Sequence, residues 1–166
     1  MLDVVWFQGC NGLNMTVIHG HADQIRTLQN AMGGDRLHHA WIFSGPVGVG
    51  KRTTAMELGR VLLDDSISGE DLGRQDPALL SESGTLLVGD SHPDLHCLRK
   101  EDAAYSDNRS LRERKQLNIP LDLLRERMIG GRTSDGKSHD AAVYRTATLG
   151  GSKLFIVDEA ELLDRT

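Results

Sequence analysis

The chain has 166 residues, with 19 Lys and Arg against 24 Asp and Glu, a net charge of −5, and 39% hydrophobic but only 4% aromatic residues. That is enough apolar material for one packed domain, and it excludes collagen-like and membrane-spanning chains, since no apolar run approaches about 18 residues. Cys10 and Cys97 allow at most one disulfide, so a reducing cytosol is the expected compartment, and the acidic balance leaves no general footprint for nucleic acid.

In chain order, residues 1–14 are apolar yet lack the Lys/Arg start of a signal peptide, so they read as a non-native or disordered extension. The domain proper is expected to open at Met15-Thr16-Val17-Ile18 and to run over 15–166. Ile25, Leu28 and Met32 recur at helical spacing and predict an amphipathic helix over 23–32, ended by Gly33-Gly34. Ala40-Trp41-Ile42-Phe43 predicts a buried strand and residues 45–50 a glycine-rich turn. A helix follows over 51–63, with Ala55, Leu58, Val61 and Leu62 on one face.

Residues 64–89 are polar and broken by Gly and Pro, which predicts a long loop with at most short helical pieces. Residues 94–98 are a candidate strand. Residues 99–127 mix eight Lys/Arg with six Asp/Glu, a pattern that reads as a solvated face. Within it, Pro120 opens a helix to Met128 with Leu123, Leu124 and Met128 facing inward. Residues 130–140 read as a second loop, and 141–148 as either helix or strand. Leu154-Phe155-Ile156-Val157 is a second apolar strand, with Asp158-Glu159 at its carboxyl end.

Strand, glycine turn and helix follow one another in the order that a phosphate site needs. Gly45-Pro46-Val47-Gly48-Val49-Gly50-Lys51 fits the opening of G-x-x-x-x-G-K-[ST]. Glycines let the backbone curl its N–H groups inward, Lys51 adds a point charge, and the helix start adds partial positive charge. At the last motif position, Arg52 stands where Ser or Thr would bind Mg²⁺. A guanidinium cannot ligate a cation and repels it. Thr53 is the next hydroxyl, turned about 100° round the helix from the ligand position. The expectation is phosphate binding with weak or absent Mg²⁺-dependent hydrolysis. Leu154 to Glu159 has the form of a Walker B element, in which Asp158 stands beside a metal and Glu159 orients the attacking water.

Four strings together resemble a bacterial DNA polymerase III clamp-loader subunit, from about Met15 onward. They are Val17-Ile18-His19-Gly20-His21, the run from Arg36-Leu37-His38-His39 through Gly45-Pro46, His92-Pro93-Asp94-Leu95, and Asp158-Glu159-Ala160-Glu161. Arg52 and His-Pro-Asp-Leu bring the resemblance nearer to the delta-prime subunit than to the tau/gamma motor. It implies an α/β P-loop NTPase fold of the AAA+ kind, three layers around a parallel sheet, incomplete at the C-terminus. Such a subunit helps load the sliding clamp on primed DNA as a component of the DNA-directed DNA polymerase holoenzyme, itself at most a weak ATPase. The implied partners are the tau/gamma and delta subunits, the clamp indirectly, and primer–template DNA through the assembly, with no membrane. ATP is the implied cofactor, and Arg52 speaks against Mg²⁺. Val17, His19 and Gly20, in the stretch 17–21, would lie near the adenine. Gly45, Pro46, Gly48, Val49, Gly50, Lys51, Arg52 and Thr53 would lie at the phosphates, and Asp158 and Glu159 at the metal.

Three departures from that family qualify the resemblance. Many relatives carry a four-cysteine zinc module where this chain offers only Cys97; His92 and His96 read as strand-edge residues, so no metal site is expected. Extra polar loops separate Lys51 from Asp158. The fold places a fourth strand between 40–43 and 154–157, and its absence before Thr166 predicts unpaired backbone there, with the lid and the C-terminal oligomerisation domain also absent. An active motor subunit, and a small P-loop kinase with a lid drawn from 99–127, stand as alternatives that Mg²⁺-ATP turnover separates.

Overall fold

The computed structural model describes residues 18, 20–34, 37–74, 81–89, 91–149 and 151–164. The extension over 1–14, Val17, His19 and Arg36 lie outside the described residues. Helix α1 (Ala22–Gly33) forms on the predicted apolar stripe, with Leu28 buried and Ile25 and Met32 half-buried; Gly34 leaves it in an extended conformation. Helix α2 (Lys51–Leu63) starts at Gly50, whose φ of 90° turns the chain out of the glycine loop. Helix α3 (Glu82–Val88) is the main helical piece after the long turn, capped by the Ser81 hydroxyl, which accepts the Gly84 N–H at 2.8 Å.

Strands β1 (Leu95–Leu98) and β4 (Leu154–Val157) pair in parallel, Leu95 with Leu154 through Leu98 with Val157. A parallel pair requires a long crossover, and residues 99–153 supply it. Because side chains alternate across a strand, the pair buries both faces. On one face Cys97, Leu154 and Ile156 meet Ala55 and Met56 of α2. On the other, Leu98 and Val157 join Ala103, Leu111, Ile119 and Leu123. Beyond α2, Leu28 of α1 packs with Leu58, Val61 and Leu72. The order of layers is therefore α1, α2, sheet, crossover.

Four expectations are corrected. Residues 40–43 carry no strand pairing among the described residues, although Trp41, Ile42 and Phe43 are half-buried. An apolar run specifies burial and not a backbone partner. A cleft of about 940 Å³ has Trp41, Phe43, Leu154 and Ile156 in its lining. The charged stretch 99–127 is more than a solvated face, because its apolar minority covers the sheet, with Ile119 and Leu123 at 0% exposure. The short helix α4 (Arg109–Glu113) buries Leu111 in that cluster and leaves Arg109 and Glu113 at the surface.

The helix opened by Pro120 is α5 (Leu121–Leu124), and it continues to Ile129 as a wider π turn rather than a regular helix. Residues 130–140 are not a plain loop. They contain a small hairpin, β2 (Gly131–Arg132) against β3 (Ser138–His139), turned at Gly136 with φ of 85°. The stretch 141–148 holds one short helical turn, Ala142–Tyr144. Among the described residues no helix is long and apolar enough to cross a membrane.

Candidate functional site: a glycine loop and an acidic strand end

The phosphate-type loop lies between residue 43 and α2. Gly45, Gly48 and Gly50 have φ of 148°, 84° and 90°, conformations that a residue with a Cβ rarely adopts. They curl the chain so that α2 begins abruptly, the Thr54 N–H bonding the Gly50 carbonyl at 3.0 Å. Gly50 has no side chain to cap the first turn, which leaves a helix N-terminus facing into the loop. Pro46 and the exposed Val47 form the outer rim. Lys51 is folded inward, its Nζ donating to the carbonyls of Gly45 and Pro46, both at 2.8 Å. An arriving phosphate would exchange those two carbonyls for its own oxygens.

Packing shows how the loop and the acidic pair come to one end of the sheet. Ala55 and Met56 cluster with Ile156, whereas a Cβ placed on Gly59 would stand 2.8 Å from Leu154 Cδ2. Moving forward along α2 therefore moves backward along β4, so the two run antiparallel. The start of α2 lies about 6 Å further along the helix axis from Ala55, toward the carboxyl end of β4. Asp158 follows that strand, 2% exposed, with its backbone N–H on the Leu98 carbonyl at 2.8 Å.

Glu159 is in a left-handed conformation, φ 51° and ψ 45°, and its Oε2 takes a hydrogen-bonded ion pair from Lys100 Nζ. This pairing follows from the sheet. Leu98 and Val157 sit side by side in parallel strands, so residues two positions beyond each, Lys100 and Glu159, leave at the same level. The hydrogen bond to Glu159 raises the Lys100 ammonium above its ordinary pKa against the opposing cost of burial, and the charges of Glu159, Glu101 and Asp158 add to it. The sequence reading missed Lys100. The only signal for it was positional, and it required knowing that 95–98 and 154–157 are neighbours in register.

Curled glycines, a helix start and Lys51 suit an anion. Arg52 is half-buried at the first turn of α2, and Lys100 sits on Glu159. Thr53 is half-buried on the same turn. Gly20 is exposed with φ of 84°, just before α1, while Val17 and His19 lie outside the described residues.

The residues around His-Pro-Asp-Leu are structural in their contacts. His92 Nδ1 accepts the Asp94 N–H at 3.2 Å, and His96 stacks on Phe155 with ring centroids 4.7 Å apart. Strand alternation sends Cys97 to the opposite face from His96, against α2. Among the described residues no group of three or more His, Cys, Asp or Glu is arranged to hold a metal ion. Asp94 accepts the Thr148 N–H on both oxygens, at 2.7 and 2.9 Å, and the Leu149 N–H at 2.9 Å. It thereby ties the end of the crossover to the start of β1.

No curated protein and no solved structure matches the chain. The sequence model of the family described as DNA polymerase III, delta subunit, matches residues 20–166, and the chain belongs to that clamp-loader family.

Proposed function

We propose that the chain is a delta-prime-like, non-motor subunit of the clamp loader, one that binds a nucleotide phosphate group without hydrolysing it at a useful rate. Its partners on this reading are the tau/gamma and delta subunits, with the sliding clamp and primer–template DNA reached through the assembly. The carrying observation is the engagement of Glu159 by Lys100. Lys100 occupies Oε2 of Glu159 and competes there with an attacking water, and Arg52 opposes the metal that would neutralise the phosphates. ATP itself fits the loop through Lys51 and the start of α2. The family, by its description, works in DNA replication, and a subunit that binds without turnover contributes structure and communication to such an assembly.

Steady-state phosphate release with Mg²⁺-ATP tests the reading. The wild-type chain is expected to stay at buffer background. Arg52→Thr should bring a measurable rate by restoring a hydroxyl ligand. Adding Lys100→Met to it should raise kcat again by about a hundredfold, the scale of a freed general base. Turnover by the wild-type chain at the level of the double variant would overturn the proposal in favour of a motor subunit.

A further inference from the structure

Among the described residues two non-glycine positions have positive φ, Glu159 at 51° and His21 at 57°. Such conformations are costly for a residue with a Cβ and persist where the surroundings hold them. Lys100 holds Glu159. His21 is held at both ends. Its carbonyl accepts the Ile25 N–H at 2.9 Å, which makes it the cap of α1, and its Nε2 lies 2.7 Å from the carbonyl oxygen of Val49. A carbonyl only accepts, so the ring nitrogen facing it carries the hydrogen.

Val49 stands between Gly48 and Gly50, where a Cβ on either glycine would meet no other atom within 4 Å. The curl therefore receives little packing of its own. The Lys51 contacts to Gly45 and Pro46 are internal to the loop and are the ones a phosphate would displace. The His21 contact differs, because it uses a carbonyl and leaves the N–H groups of the loop to an anion.

We propose that His21 is a positioning residue that braces the phosphate loop from the start of α1, keeping Gly48-Val49-Gly50 curled before and during phosphate binding. The proposal rests on the reading of this loop as a nucleotide phosphate site. Two variants and two readouts test it: hydrogen–deuterium exchange over residues 44–54, and affinity for MANT-ATP in EDTA. His21→Ala is expected to speed exchange over that stretch and weaken MANT-ATP about fivefold, the scale of one net hydrogen bond. His21→Gln, whose amide N–H can reach the same carbonyl, should restore both. Unchanged exchange in His21→Ala, or a Gln variant no better than Ala, would overturn the brace. If wild-type chain fails to bind MANT-ATP at millimolar concentration, the nucleotide reading falls, and the exchange comparison alone decides the brace in the same two directions.

Discussion

Asp94 is buried to 0% exposure, yet it is held charged. Burial alone would push its carboxyl up, but the N–H groups of Leu149 and Thr148, the Thr148 hydroxyl and the charge of Lys153 outweigh that and hold it below the usual carboxylate range. Three charge-assisted bonds converge on one side chain, so the site depends on the full charge and not merely on an acceptor. Asp94→Asn is expected to cost about 3 kcal/mol, since one carboxylate oxygen becomes an amide facing backbone N–H groups. Urea unfolding measures it, and a cost below about 1 kcal/mol would mean that the loop at 148–149 relaxes without penalty. The His-Pro-Asp-Leu string was legible as a family signature, but its job was not. Its partners lie 54 and 55 positions away, a separation that no local pattern encodes. The glycine turn before α2 and the strand that ends at Val157 were legible because their patterns are local to a few consecutive residues. Lys100 was hidden for the opposite reason.

Elements were legible where their burial was one-sided and local. Both long helices came from spacing alone, and β1 and β4 from short apolar runs. Residues 40–43 read the same way as β4 and yet carry no ladder among the described residues, because an apolar run specifies burial and not a backbone partner. The hairpin at 130–140 hid behind its own glycines, which signal a turn but not two strands around it. Its entry explains why one of them is needed. Gly130 has φ of 71° and ψ of −174°, and a Cβ there would stand 2.5 Å from the Ala141 nitrogen and 2.8 Å from its Cα. The clash is with backbone, so no side-chain rotation relieves it. Gly130→Ala should cost about 3 kcal/mol, combining left-handed strain with overpacking. Gly136, at φ of 85°, meets only the tip of Arg132 at 3.7 Å, so Gly136→Ala should cost about 1 kcal/mol. Equal losses for the two in a thermal melt would show that backbone strain, and not the Ala141 contact, sets the cost.

At the scale of the molecule, the crossover and both sheet faces are tied by carboxylates, and this sets the acid response. Besides Asp94, burial pushes Asp64 and Asp122 up, but hydrogen bonds outweigh it and hold both low: Ser66 and Ser81 on Asp64, and Ser134 and Arg125 on Asp122. A carboxyl with a folded pKa below its unfolded value, about 3.9, stabilises the fold above that value and loses the contribution as pH falls through the folded one. His96 acts earlier. Burial pushes its imidazole down, Lys153 pushes it further, and Asp94 opposes both. The unfolded chain then binds the proton more readily, so stability falls once pH drops below about 6.5. Two acid phases are expected, one from His96 beginning near pH ~6.5 and one from the aspartates below about 4. His96→Phe separates them. Phe keeps the stack on Phe155 and removes a buried Nε2 that has no hydrogen-bond partner. Urea midpoints measured from pH 8 to pH 3 should lose the upper phase in the variant and keep the lower one. An upper phase that survives in His96→Phe would assign it to another group and leave His96 a simple packing residue.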